Sequence, residues 1–389
     1  MRQVRLGDFL EVQAGFAFKT EFFTSGDGVP LIRIRDLAKS TTEINYSGSY
    51  KPDFLVSNGD YLIGMDGNFR CHRWQGGPSL LNQRVCRVRN FRDGIEPDYV
   101  YYGIQRKLQD IEDTTSFVTV KHLSATQVQN IEMPLPPLPE QRRIVDLLSR
   151  AEGIVRLRRE AEKKAAELIP ALFNDMFGDP ATNPKGWTVS TLGDAIESAD
   201  YGSSTKASDD GSGLPLIRMG NVSYEGTLNL SALKFVNLPA KEVEKYRLQQ
   251  GDILFNRTNS KDLVGKTGLW NDSREAIAAS YFIRLRVHPD KLHSCYLWVF
   301  MNSKHMKRIL FDTARGAIGQ ANINSKELKA FKIALPPLNL QVSFAAKMDQ
   351  VMSIQSQQST ATAKAQATFD ALLARCFAPT LAIEGGSSD

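Results

Sequence analysis

Met133-Pro134-Leu135-Pro136-Pro137-Leu138-Pro139-Glu140-Gln141-Arg142-Arg143-Ile144 is the stretch on which the fold turns. Proline has no N–H to donate and cannot sit inside a helix, but its fixed φ suits a first turn. Pro139 therefore predicts the start of a long helix over the breaker-poor run that begins at Glu140. The same event recurs 200 residues later as Leu335-Pro336-Pro337-Leu338-Asn339, with Asn339 expected to cap a second long helix.

Working outward, other short matches recur in the same order. Leu6-Gly7-Asp8 returns as Leu192-Gly193-Asp194 at an offset of 186, and Pro30-Leu31-Ile32-Arg33 as Pro215-Leu216-Ile217-Arg218 at 185. Gly59-Asp60, ahead of an apolar strand, returns as Gly251-Asp252 at 192. Four matches in series with a growing offset argue for two copies of one unit, the second carrying insertions.

Each copy reads as a globular α/β segment followed by a rod. Alternation predicts half-buried strands over Leu31-Ile32-Arg33-Ile34-Arg35 and Tyr281–Val287, and turns at the Gly-Asp pairs feed strands at Tyr61 to Met65 and Ile253 to Phe255. Helices are expected at Asp98 to Gln109 and Tyr296 to Phe311. In the rods, heptad a positions fall at Ile144, Ala151, Arg158, Ala165 and Leu172, and d positions at Leu147, Ile154, Ala161 and Leu168. The second copy carries the same seam, with a at Phe344, Val351, Gln358, Ala365 and Leu372, and d at Lys347, Ile354, Ala361 and Thr368. A 3.5-residue period over four heptads favours a coiled coil, and about 35 residues make a rod of roughly 50 Å. Pro170 predicts a kink near the end of the first rod.

The expected fold class is thus α+β: two duplicated α/β domains separated by two long antiparallel coiled-coil helices, with pseudo-two-fold symmetry. The expected divisions are a first domain over residues 1–134, helix 135–178, a second domain over 179–334, helix 335–378, and a flexible tail 379–389.

Composition leaves the class open. The 389 residues are 42% hydrophobic and 23% charged, and the net charge of +5 is only a mild lean toward polyanions. No run is apolar enough to span a bilayer and the first residues lead into no signal-peptide core, which points to the cytoplasm. Cys71, Cys86, Cys295 and Cys376 are scattered, as in a reduced compartment. His288, His293, Cys295 and His305 lie close in sequence but match no usual zinc spacing. No phosphate loop, dinucleotide fingerprint, zinc-protease motif or nucleophile elbow is present. Pro289-Asp290 with Glu327-Leu328-Lys329 loosely mimics a nuclease pattern, although Glu327 and Lys329 face Gln127 and Gln129 in the first copy. The expectation is a binder without catalytic, metal or cofactor sites of its own.

Two globular units, each leading through Pro-Leu-Pro-Pro-Leu-Pro-Glu-Gln-Arg-Arg-Ile or Ala-Leu-Pro-Pro-Leu-Asn-Leu-Gln into a long helix, resemble the specificity subunit of type I restriction–modification systems. The Leu-Gly-Asp openings, the Pro-Leu-Ile-Arg strands, the Gly-Asp-Ile-Leu-Phe strand and the Met176-Phe177-Gly178-Asp179-Pro180 join belong to the same resemblance, which spans essentially the whole chain. It implies two target-recognition domains, each reading one half of a split, asymmetric DNA site. It also implies helices that recruit two modification subunits carrying S-adenosylmethionine, with ATP-using restriction subunits joining the assembly. Half-sites about 34–36 Å apart suit a rod-like spacer. The second copy has Asn339-Leu340-Gln341 where Pro-Glu-Gln would be expected, so its helix start need not bind partners in the same way.

Base readout calls for Arg, Lys, Asn, Gln, Ser or Thr on loops and exposed strand faces. In the first domain the candidates are Lys19, Arg33, Arg35, Asn68, Arg70, His72 and Arg73. In the second they are Lys206, Arg218, Asn221, Asn256, Arg257, Thr258, Asn259, Lys261, Gln320 and Asn322. Candidate partner contacts on the helices are Glu140, Gln141, Ile144, Leu147, Ile154, Phe344, Val351 and Ile354. A coiled-coil scaffold that touches no DNA, or a stand-alone enzyme with a divergent site, are the alternatives.

Overall fold

The structure, a computed structural model, describes residues 3–114, 121–317 and 320–378, with 315–317 and 320 by backbone alone. Ile318, Gly319 and the 379–389 tail lie outside the described residues. The chain divides into two compact units, Met1–Arg159 with Ala361–Asp389, and Glu160–Thr360.

In the first unit, strands Gln3–Arg5 and Glu132–Pro134 pair antiparallel. A four-stranded antiparallel sheet runs Glu11–Ala14, Val85–Arg89, Tyr61–Gly64, Cys71–Arg73. A second sheet holds the parallel pair Val29–Ile32 and Ser79–Leu81, with Leu31 opposite Leu80. Helix Pro97–Thr114 packs its buried Tyr99, Ile104 and Leu108 into a core with Ile63, Phe69, Cys86, Ile144 and Leu148.

The second unit repeats this pairing by pairing. Thr188–Thr191 joins Lys332–Leu335, and the four-stranded sheet runs Ile196–Tyr201, Phe282–Val287, Ile253–Asn256, Thr267–Leu269. Leu214–Ile217 lies parallel to Ile277–Ala278, with Leu216 opposite Ile277. Both Pro-Leu-Ile-Arg segments are therefore one strand seen twice. Both Gly-Asp turns close on a buried tryptophan. The Gly59 N–H donates to the Trp74 carbonyl at 2.9 Å and the Trp74 N–H to the Asp60 carbonyl at 2.8 Å, while Gly251, Trp270 and Asp252 repeat the exchange at 2.8 and 2.9 Å. Gly59 and Gly251 sit at φ of +95° and +89°, a region L side chains avoid, which is why glycine stands at both.

A pair of buried arginines sits at equivalent points of the central strands. Arg87, opposite Gln13, donates to the Gln13 side-chain oxygen and to the Asp53 and Leu55 carbonyls. Arg284, opposite Asp200, donates to the Asp200 carboxylate and to the Lys245 and Arg247 carbonyls. A guanidinium can be buried only if its donors find acceptors, and in each copy backbone carbonyls and side-chain oxygens supply them.

Several expectations need correction. The strand expected over 31–35 ends at Ile32, and Ile34–Leu37 forms a helical turn because the Arg33 N–H donates to the Asp36 carboxylate at 2.8 Å. Arg218 and Asn221 repeat that turn at 2.9 Å. The helix expected over 296–311 breaks into Ser294–Asn302 and Lys304–Thr313, with the Ser303 hydroxyl capping the second piece. Asn339 is not a cap: the helix Leu338–Cys376 already contains it, and Pro337 supplies the first accepting carbonyl, as Pro137 does for Leu138–Ala166.

The rods pair antiparallel within each unit. In the first, Arg159 donates to Gln366 at 2.8 Å, and Phe369, Leu372, Leu373 and Phe377 pack on the core that holds Ile144 and Leu148. In the second, the Gln355 amide donates to the Ala165 carbonyl at 2.7 Å, and the Phe173 ring meets Phe344 at 5.7 Å. The apolar a positions of the expected seam face inward, but the larger d side chains do not. Leu147, Ile154, Leu168 and Lys347 are exposed, whereas Leu148, Val155, Ile169 and Met348, each one residue further on, are buried. The seam is a/e: polar Gln355 and Thr362 on the inner side masked it, and apolar side chains on the outer face imitated a d row. Pro170 acts as expected on the first rod. The helix stops at Ala166 and restarts at Leu168, and the Gln355 amide supplies a donor at the break.

Candidate nucleic-acid interface

The site is a frame of backbone hydrogen bonds that occurs once per unit. In the first, the Met65 N–H donates to the Arg84 carbonyl at 2.9 Å, Leu123 to Met65 at 2.7 Å, and Gly67 to Lys121 at 3.0 Å. In the second, Arg257 donates to Tyr281 and Ile323 to Arg257, each at 2.9 Å. Asp66 is bridged to His122 as Thr258 is to Asn322. Residues far apart in sequence thus converge just past the end of the same strand.

The side chains on this frame differ between copies. In the first unit the Asp66 carboxylate is shared by His122 Nδ1 at 2.7 Å and Arg84 at 3.2 Å, and the Arg84 and His122 side chains remain 55% and 52% exposed. In the second, the Thr258 hydroxyl donates to Asn322 Oδ1 at 3.0 Å and the Asn259 amide to Asn256 Oδ1 at 3.0 Å. Arg257 lies 4.9 Å above the Tyr201 ring and Lys261 4.3 Å above that of Phe311. One copy presents a carboxylate with two cationic or titratable groups; the other presents hydroxyl and amide.

The structure brings together Arg257, Thr258, Asn259 and Asn322, which the sequence shows as two separate loops, since Thr258–Asn259 and Gln320–Asn322 are neighbouring strands. Sequence reading missed Arg84 and His122, although the copy-to-copy offset from Asn322 leads to His122. Lys19, Arg35, Asn68 and Lys206 are exposed, and Lys19 pairs with Glu21 at 3.5 Å. Arg33 is largely covered and is held by Asp36 and Glu43 at 3.3 and 3.2 Å. Arg70 and Arg73 turn toward helix Pro97–Thr114. Arg70 meets Gln109 and Glu112, and Arg73 meets Asp98 while stacking 5.1 Å from the Tyr101 ring. His72 is half-buried, and burial lowers its pKa with help from Arg70. Arg218 is half-buried.

Two candidates are interior and cannot meet a base edge. Asn221 is 5% exposed, its amide donating to the Asn229 and Ala232 carbonyls. Asn256 is fully buried beside Thr258 and Tyr281. Close by, the Lys266 ammonium donates to the Met219 and Val222 carbonyls, both at 2.7 Å, and Lys307 lies over the Tyr224 ring. Burial, aided by the Lys266 charge, pushes the Lys307 pKa down to about 8.

The partner candidates sort in the same way. Leu147, Ile154 and Ile354 are exposed apolar side chains. Val351 is half-buried, and Glu140 is ion-paired with Arg143 at 2.7 Å. Gln141, Ile144 and Phe344 are buried. Gln141 is an internal clamp: its side-chain oxygen accepts the Glu96 N–H, and its amide donates to the Gly94 and Pro136 carbonyls, all at 2.9 Å. Gln341 does the same with the His293 N–H at 2.8 Å and the Lys291 and Pro336 carbonyls at 3.2 and 2.8 Å. The departure at Asn339-Leu340 leaves this clamp unchanged.

Residues of the nuclease-like pattern and of the His/Cys group have structural duties. Glu327 accepts the Asn324 N–H in a capping box, and His293 caps Ser294–Asn302 by accepting the Cys295 N–H at 3.2 Å. Burial pushes the Cys86 and Cys295 thiols up to about 12, far from nucleophilic range. Among the described residues no cluster of three His, Cys, Asp or Glu side chains could hold a metal ion, and no helix is long and apolar enough to cross a membrane.

Comparison with known proteins agrees with this architecture. Residues 1–167 and 184–365 match the family described as type I restriction modification DNA specificity domain. The chain is 27% identical to the EcoBI type I restriction enzyme specificity subunit of Escherichia coli, over 96% of this chain and 85% of that protein. To the EcoKI specificity subunit of Escherichia coli strain K12 it is 24% identical, over 69% of this chain and 61% of that protein. The type I restriction–modification S subunit of M. genitalium shares the fold at a TM-score of 0.56 and 13% identity, over 98% of this chain and 96% of that one. A chain solved in a study of complex assembly and conformational transition of the type I R-M system gives 0.58 at 20%, with 98% of both covered.

Proposed function

The chain belongs to the type I restriction–modification DNA specificity family, and from that premise we propose that it reads a bipartite, asymmetric DNA site, one half with each duplicated domain. It is a specificity subunit and not the catalyst: methyl transfer and cleavage reside in partner subunits. The observation that carries the reading is the duplicated frame, which repeats two backbone bonds and one cross-strand pairing and differs in its exposed side chains. Two copies built to the same plan and reading the same sequence would have no reason to differ there.

Residues 1–134 and 179–334 are the readers in this proposal, and 135–178 with 335–378 the spacer. The exposed apolar residues Leu147, Ile154 and Ile354 serve as contacts for two modification subunits, to which restriction subunits add. S-adenosylmethionine and ATP belong to those partners, and the assembly works in the cytoplasm. Exposed Lys19, Arg35, Asn68 and Lys206 suit phosphate or groove contacts around each frame.

The test exchanges residues 1–134 for those of a relative with another specificity. Methylation-aware sequencing of host DNA should then show one half of the methylated motif changed and the other retained. A change in both halves, or a scaffold that supports no sequence-selective methylation, would defeat the proposal.

A further inference from the structure

The duplicated frame also assigns base chemistry to individual side chains. We propose that Arg84 reads a guanine in one half-site and Asn322 an adenine in the other, an inference that rests on the function proposed above.

Three positions of the frame correspond across the copies: 66, 84 and 122 in the first unit, and 258, 281 and 322 in the second. With the backbone held alike, only the side chains can discriminate. In the first unit Arg84 is the exposed member with a planar fork of donors, which matches the O6 and N7 acceptors that guanine shows in the major groove. The Asp66 carboxylate at 3.2 Å anchors one side of the guanidinium and leaves more than half of the side chain free. His122, on the same carboxylate at 2.7 Å, holds Asp66 in place from the other side.

In the second unit, Asp66 and His122 are replaced by Thr258 and Asn322, and no charge remains at either position. The exposed Asn322 amide offers one acceptor and two donors, the pairing that fits the N6 and N7 edge of adenine. The Thr258 hydroxyl, donating to Oδ1 at 3.0 Å, fixes the rotation of the amide and leaves a second lone pair and both amide hydrogens for the base. Tyr281, 43% exposed at the position of Arg84, lacks the fork and cannot take over its role. Arg257 is not a rival reader here, because it lies over the Tyr201 ring.

The experiment assembles the full chain with its modification partners, methylates a random-sequence DNA library with S-adenosylmethionine, and sequences the methylated sites. Arg84→Ala should reduce preference at a single G·C position of one half by about 10-fold or more, with the rest of the motif intact. Arg84→Lys keeps the charge but not the fork and should flatten the same position. Asn322→Ala should flatten a single A·T position in the other half. Variants that retain the complete motif, that flatten positions of another base, or that all act in one half overturn the assignment. A wild-type complex that methylates with no motif overturns the underlying function as well, so the two failures are distinguishable.

Discussion

Replacing Gln141 with alanine tests whether the glutamine at the head of the first rod is an internal clamp or a partner contact. Its side chain is 1% exposed and makes three hydrogen bonds at 2.9 Å, one to an N–H and two to carbonyls. Truncation leaves the Glu96 N–H and the Gly94 and Pro136 carbonyls without this partner and opens a small cavity. An orphaned buried group costs about 1–3 kcal/mol, and carbonyls with a second lone pair cost less than an N–H, so the total should be about 2–4 kcal/mol. For a unit of this size that corresponds to a fall in Tm of about 4–16 °C. Thermal unfolding supplies the global measure, and hydrogen exchange at the Glu96 amide supplies the local one, where protection should drop. Glu140→Ala is the control one residue away: its carboxylate pairs with exposed Arg143 and its loss should leave the melting curve close to that of the wild type. Gln341→Ala should repeat the loss in the second unit, with the His293 amide as reporter. If Gln141→Ala unfolds like the control while assembly with modification subunits fails, the clamp argument is wrong and Gln141 is a contact after all.

Other outcomes follow from the same geometry. Leu147→Asp with Ile154→Asp, on a face already exposed, should leave thermal stability within about 1 kcal/mol yet weaken co-purification with modification subunits. Gly59→Ala meets no atom within 4 Å, so its cost should be the left-handed backbone alone, about 1–2 kcal/mol by denaturant titration; Gly15→Ala, whose Cβ would fall 2.0 Å from the Asn82 carbonyl, should cost far more. Because the Lys307 pKa is depressed to about 8, the folded chain binds fewer protons than the unfolded one above that value. Its contribution to stability should therefore rise as pH climbs from about 8 toward the ordinary lysine range, and this rise should vanish in Lys307→Met.

The duplication and the two rods were legible because they depend on residues with few alternatives. Proline marks a helix start by lacking a donor, and glycine at 59 and 251 marks a φ that other residues avoid. The seam register was not legible, because Gln355 and Thr362 face inward while Leu147 and Ile154 face outward, and a pattern of polarity cannot rank them. Arg87 shows the same limit on a strand. Alternation puts an arginine on the wet side, yet Arg87 is buried because backbone carbonyls across the sheet accept its donors. For the site, the loop after each strand was visible, but its second half lies about 60 residues on and becomes a neighbour only when Thr258 pairs with Asn322.

The division of the chain has a consequence for its synthesis. One unit is a single uninterrupted stretch, Glu160–Thr360, whereas the other needs both the beginning of the polypeptide and its end. Tyr99, Tyr102, Ile144 and Leu148 therefore leave the ribosome long before Phe369, Leu372 and Phe377, which cover them. At about 5–20 residues per second, the intervening 200 or so residues impose a wait of roughly 10–40 s. The middle of this protein can mature before its start, and during that interval the nascent head presents sticky surface for chaperones to shield.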